Sequence, residues 1–182
     1  MRKRIILLTG NPGVGKTTVL MKTVNALKSE GYSAGGMISR EVREGETRVG
    51  FQIQNLNTSK RGWLANINQK NGPQIGKYRV NIENLNDIGA QAIFDALENS
   101  EIIAIDEIGP MELFSAKFKQ ATQKALESDK LLIAVIHWKA QDKLATEARK
   151  REDAELITVT YRNRDDLIET TVKKALEILE QN

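Results

Sequence analysis

The stretch LTGNPGVGKTT, Leu8 to Thr18, sets three glycines and one lysine directly after an aliphatic run. Without side chains at Gly10, Gly13 and Gly15, the backbone can bend tightly and aim successive N–H groups at one anion. The spacing Gly10-x4-Gly15-Lys16-Thr17 matches the P-loop pattern G-x-x-x-x-G-K-[ST] in full. A polyphosphate is the anion this arrangement suits: Lys16 supplies a mobile positive charge, and the Thr17 hydroxyl can ligate Mg²⁺. A turn that merely joins a strand to a helix needs neither residue.

The flanks agree with that reading. Arg4 to Thr9 reads as a short buried strand, because a continuous apolar run ending at glycine suits a central parallel strand. A helix starting near Gly15 carries Leu20, Val24 and Leu27 at helical spacing and stops at Gly31. Its positive end and unpaired N–H groups add to the anion site. The candidate nucleotide-binding residues are therefore Gly10, Asn11, Pro12, Gly13, Val14, Gly15, Lys16, Thr17 and Thr18.

The rest of the chain alternates strands and helices. Gly35-Gly36 leads into MISREV and then TRVGFQIQNL, two strands around a turn containing Gly45. Residues 55–86, rich in Asn, Gly and Lys, read as a loop-rich insertion with short strands, one over Lys77–Val80. Asp87 to Glu98 has helical spacing through Ile88, Ala92 and Leu97, and Ile102 to Ile105 is a second aliphatic strand. Phe114, Phe118, Ala121 and Ala125 predict an amphipathic helix, and Leu131 to Ile136 a third apolar strand. Lys139 to Arg151 reads as a charged helix and Glu155 to Thr160 as an edge strand. A last helix carries Leu167, Val172, Leu176 and Leu179. This alternation predicts an α/β fold of the P-loop NTPase type, three layers α/β/α. Its central sheet is mainly parallel with an added hairpin, and function sits at the strand ends.

Asp106 follows four aliphatic residues, the Walker B arrangement, in which a buried strand presents a carboxylate to the metal beside the P-loop. Thr17 and Asp106 are thus the candidate metal residues, with capping as the bland role for the acid. Glu107 is placed to align or deprotonate water, which makes Lys16 and Glu107 the candidate catalytic pair. Glu112 is a weaker candidate for the same work, at a helix start. Arg40, Arg43, Arg48, Arg149 and Arg151 are the candidates to meet charge on a γ-phosphate, and spacing does not choose among them. After the last strand, Tyr161 and Arg164 are candidates to lie on a base, while Asn163 and Asp166 also fit an N-cap pair. His137, at another strand end, suits either a phosphate or water contact or an ordinary hydrogen-bonded role.

Composition excludes several other chemistries. The 182 residues contain no cysteine and one histidine, which removes disulfides, thiolate sites and multi-histidine metal sites. A net charge of +3 is spread along the chain, which suits nucleotides and does not point to nucleic acid. No run approaches a membrane span, and Met1-Arg2-Lys3-Arg4 precedes only four apolar residues, so a signal peptide is not expected. The expectation is a cytoplasmic monomer.

GNPGVGKTT, REVREGETRVGF, GKYRV, IDEIGPMEL and TYRNRDDL, in this order and at this length, resemble the thermophile-type (THEP) nucleoside-triphosphate phosphatase family, which includes the cancer-related nucleoside-triphosphatase. DEIGPMEL combined with REVREG-x-x-x-GF is the most specific part. The resemblance spans nearly the whole chain. It implies one P-loop domain over residues 1–182, with the hairpin and insertion at 34–86 inside it. It also implies slow, Mg²⁺-dependent hydrolysis of ATP, GTP, CTP and UTP to the diphosphates. Nucleotide contacts are implied for Gly10 to Thr17, for Asp106 and Glu107, and for Arg164. Ile38-Ser39-Arg40 departs from the more aromatic or threonine-bearing lead expected before EVREG. Other readings of the same fold are a small-molecule or nucleoside kinase and a nucleotide-controlled switch protein.

Overall fold

A computed structural model describes residues 3–181; Met1 and Arg2, part of the charged start noted above, and Asn182 lie outside it. Among the described residues the elements run β1 (Ile5–Thr9), α1 (Lys16–Ser29), β2 (Ala34–Glu44), β3 (Thr47–Asn55), β4 (Arg61–Asn66), β5 (Gln74–Ile75) and β6 (Tyr78–Val80). There follow α2 (Ile82–Asn84), a π turn (Leu85–Ala90), α3 (Gln91–Asn99), β7 (Ile102–Ile108), a 3₁₀ turn (Glu112–Phe114), α4 (Ala116–Glu127), β8 (Leu131–Ile136), α5 (Lys143–Lys150), β9 (Ala154–Thr158) and α6 (Arg164–Leu179).

The strands form one mixed sheet in the order β5-β6-β4-β3-β2-β7-β8-β1-β9. From β2 to β9 the pairings are parallel, and from β2 outward to β5 they are antiparallel. The central parallel strands β1, β7 and β8 carry continuous apolar runs because both of their faces are covered. Ile6, Leu8, Ala104, Ile133 and Val135 pack with α1 and α6, while Ile5, Leu7, Ile103, Ile105 and Ala134 pack with α3, α4 and α5. The three-layer expectation thus holds.

The hairpin is larger than its sequence signal. It is the first part of a five-strand antiparallel wing, and the segment read as a loop-rich insertion supplies β4, β5 and β6. Trp63, Leu64 and Ala65 lack clear alternation because their strand is short and pairs on both sides. The helix read from Asp87 begins earlier: Asn81 Oδ1 accepts from Asn84 N–H at 2.9 Å, capping α2. Phe114 is not part of the α4 stripe. Ser115 Oγ accepts from Phe118 N–H at 2.9 Å, which starts α4 at Ala116 and leaves Phe114 half exposed in the 3₁₀ turn. The charged helix is shorter than Lys139–Arg151, since Asp142 caps it through Leu144 N–H. The edge strand ends at Thr158 rather than Thr160.

Two features shape the P-loop end of the sheet. The last β2–β7 pair is Met37–Ile105, so residues 38–44 run on beyond the parallel sheet, paired only to β3. The β7–β8 register also slips between Asp106 and Ile108, leaving Glu107 as the extra residue of a bulge. The Asp106–Glu107 peptide is cis.

Candidate active site

The loop between β1 and α1 is built on its glycines. Gly10, Gly13 and Gly15 have φ of 140°, 78° and 104°, a region open chiefly to glycine. At Gly10 a side chain is also blocked sterically, because a Cβ would lie 2.4 Å from the Val159 carbonyl oxygen. Val14 is buried against the α1 and α6 core, so its side chain anchors the loop and only its backbone is offered to a ligand. Gly15 occupies the N-cap of α1 without a side-chain cap, which leaves the first helical N–H groups free for an anion. Lys16 Nζ folds back onto the loop and donates to the carbonyls of Gly10 at 2.9 Å and Asn11 at 2.8 Å.

A cavity of about 580 Å³ opens above this loop. Lys16, Thr17, Asp106, Glu107 and His137 all line it, so the strand tips of β1, β7 and β8 converge on one space. Asp106 is 3% exposed, and burial pushes its carboxyl up from 3.8 to about 7. The Thr17 hydroxyl, within hydrogen-bonding reach, and the Lys16 ammonium act the other way, while Glu107 adds to the rise. Burial likewise raises Glu107, opposed by Lys16. Burial lowers Lys16 itself, partly offset by the two acids.

The other sequence candidates fall in different places. Glu112 is buried, and burial together with the charges of Glu107 and Asp106 lifts its carboxyl well above the usual range. It is not among the residues lining the cavity. His137 Nδ1 accepts from Lys139 N–H at 3.2 Å, and burial with the charges of Lys16, Arg149 and Lys139 lowers its pKa. The neutral ring therefore carries its proton on Nε2. Tyr161 and Arg164 lie beside the loop: the Tyr161 hydroxyl is 3.8 Å from the Cβ position of Gly13, and Arg164 Cδ is 3.1 Å from that of Gly15. The Arg164 guanidinium stacks over the Tyr161 ring at 5.5 Å. With Thr18 and Lys22, Arg164 borders a small cavity of about 210 Å³ beside α1. Asn163 sits at the N-cap of α6 but does not cap it; its side chain turns back, accepting from Thr160 N–H and donating to the Thr158 carbonyl.

Of the five arginines, Arg40 and Arg48 line the main cavity and the other three do not. Arg43 bonds Glu41 and the Glu46 carbonyl at the hairpin tip. Arg149 donates to the carbonyls of His137 and Ala140, pinning the loop after β8. Arg151 pairs with Asp153 at the start of β9. Sequence reading missed Ser39, Glu41, Phe51 and Trp138, which also line the cavity. Trp138 had one usable signal, its place beside His137 just past a strand end.

Asp106 Oδ2 is buried without a hydrogen-bond partner, an orphan oxygen on a carboxyl that the Thr17 hydroxyl influences. A hard cation suits such oxygens, and Mg²⁺ takes one or two protein ligands and fills its other positions with water and phosphate. The residues fit Mg²⁺.

A family model described as NTPase matches residues 5–172. The chain belongs to this NTPase family. Nucleoside-triphosphatase THEP1 of Thermofilum pendens is 45% identical over 170 residues, covering 91% of each chain. The crystal structure of THEP1 from the hyperthermophile Aquifex aeolicus superposes with a TM-score of 0.84 at 30% identity, over 94% of this chain and 98% of that one. The solution structure of a human cancer-related nucleoside triphosphatase gives a TM-score of 0.77 at 32% identity, over 96% and 97%. The family expected from the sequence motifs is the family found.

Proposed function

We propose that the protein is a Mg²⁺-dependent nucleoside-triphosphatase that hydrolyses NTPs of any base to NDP and inorganic phosphate. The observation that carries this reading is the convergence of Lys16, Thr17, Asp106 and Glu107 on one cavity beside a loop of free backbone N–H groups. The names of the relatives support triphosphatase activity.

The nucleotide enters with its β- and γ-phosphates over Gly13 to Thr17, and Lys16 exchanges the Gly10 and Asn11 carbonyls for phosphate oxygens. Bound Mg²⁺, held by Thr17 and Asp106, would neutralise phosphate charge. Glu107 takes a proton from the attacking water, whose oxygen bonds to the γ-phosphorus as the bond to the β–γ bridging oxygen breaks. Burial has raised the Glu107 pKa, which strengthens it as a base. His137 offers its Nε2 proton to the γ-phosphate or to the water. The Arg164–Tyr161 stack, beside the P-loop glycines, would carry the base, and stacking of that kind is tolerant of base identity.

Phosphate release from ATP, GTP, CTP and UTP, with and without Mg²⁺ and with no added acceptor, tests the proposal. Comparable rates on all four nucleotides, dependent on Mg²⁺, are expected. Release that requires an added hydroxyl acceptor, or one nucleotide only, contradicts it.

A further inference from the structure

We infer that Arg40 is the arginine that meets the charge developing on the γ-phosphate, an arginine finger supplied from within the chain by the overhanging wing. The inference rests on the hydrolase reading above. It begins with the backbone: β2 leaves β7 after Met37, so Arg40 sits on the overhang, opposite Gln52 of β3, and lines the cavity that holds Lys16 and Glu107.

The second observation is that its charge is uncommitted. Arg40 is exposed, and its side chain has no hydrogen bond, ion pair or ring contact among the described residues. The acid beside it, Glu41, is already taken. Arg48 Nη1 lies 2.8 Å from Glu41 Oε1, and Arg43 binds the other carboxylate oxygen.

The other cation on this wall is fixed in place. Arg48 also donates to the Tyr78 hydroxyl at 2.8 Å and lies 5.1 Å from the centre of the Phe51 ring. Moving it to a phosphate would break an ion pair, a hydrogen bond and two ring contacts. Arg40 breaks nothing by moving, and a γ-phosphate would be its first partner. A guanidinium presents paired donors to phosphate oxygens, geometry that lysine lacks. Its contact strengthens as charge builds on those oxygens, so it acts on turnover more than on ground-state binding.

The test compares wild type with Arg40→Ala, Arg40→Lys and, as control, Arg43→Ala at the hairpin tip. Phosphate release is measured alongside the affinity for a fluorescent ATP analogue. We expect Arg40→Ala to lower kcat on the order of 10²-fold, with affinity changed by less than about threefold. Added guanidinium should restore part of the lost rate. Arg40→Lys should recover less than that, and Arg43→Ala should match wild type. Turnover of Arg40→Ala within about threefold of wild type overturns the inference. So does a loss of affinity equal to the loss of rate, or a defect that guanidinium leaves unchanged. A wild-type protein that releases no phosphate would instead defeat the hydrolase reading, so the two failures are told apart.

Discussion

Replacing Asp106 by Asn should stabilise the nucleotide-free protein while removing its activity. The Asp106 carboxyl is buried, and burial lifts its pKa from 3.8 to about 7. A raised acid favours the folded state most when protonated. Its contribution is fully present below pH 3.8 and is lost as pH rises through about 7. Above that pH the fold carries an ionised buried carboxylate. At about 1.4 kcal/mol per pH unit, the interval from 3.8 to about 7 amounts to about 4 kcal/mol. Asn has the same shape and no charge, so it removes this cost and keeps the contact with Thr17 within reach. Urea unfolding without nucleotide or divalent cation, at pH 8 and at pH 4, measures the difference between variant and wild type. The variant should lead by up to about 4 kcal/mol at pH 8 and by less than about 1 kcal/mol at pH 4. A variant less stable than wild type at pH 8, or a lead that does not shrink on acidification, would refute the reasoning.

Two further substitutions separate stability from chemistry. A Cβ on Gly109 would lie 2.8 Å from Glu107 Oε1, the end of a flexible side chain. Gly109→Ala should therefore move the Glu107 carboxylate, cutting turnover about tenfold or more while thermal unfolding stays within about 1 kcal/mol of wild type. Gly10→Ala meets the Val159 backbone carbonyl at 2.4 Å and forces φ of 140° on alanine. It should cost about 2–4 kcal/mol in urea unfolding and weaken nucleotide binding at the same time.

How much of this was legible in the sequence depended on whether the signal was local. The P-loop was fully readable because each position has its own backbone or chemical requirement, and Gly10, Gly15, Lys16 and Thr17 meet them at fixed spacing. The parallel strands were readable because burial on both faces leaves uninterrupted aliphatic runs such as Ile102–Ile105 and Leu131–Ile136. The wing was not. Strands β4, β5 and β6 have only six, two and three residues, too few for an alternation to show, although they pair with neighbours close along the chain. Helix starts at Asn81 and Ser115 shifted the boundaries because one capping hydrogen bond outweighs a periodic pattern. The five arginines looked alike in sequence. They differ only in what surrounds them, and Glu41, Tyr78, Asp153 and the carbonyls of His137 and Ala140 account for four.

The central claim is that Glu107 accepts the proton of the attacking water, and Glu107→Gln tests it most directly. Glutamine keeps the size and hydrogen-bonding reach of the side chain and removes its basicity. Single-turnover phosphate release should fall about 10²- to 10⁴-fold, while affinity for Mg²⁺–ATP stays near that of the wild-type protein. A variant that releases phosphate at the wild-type rate would contradict the account.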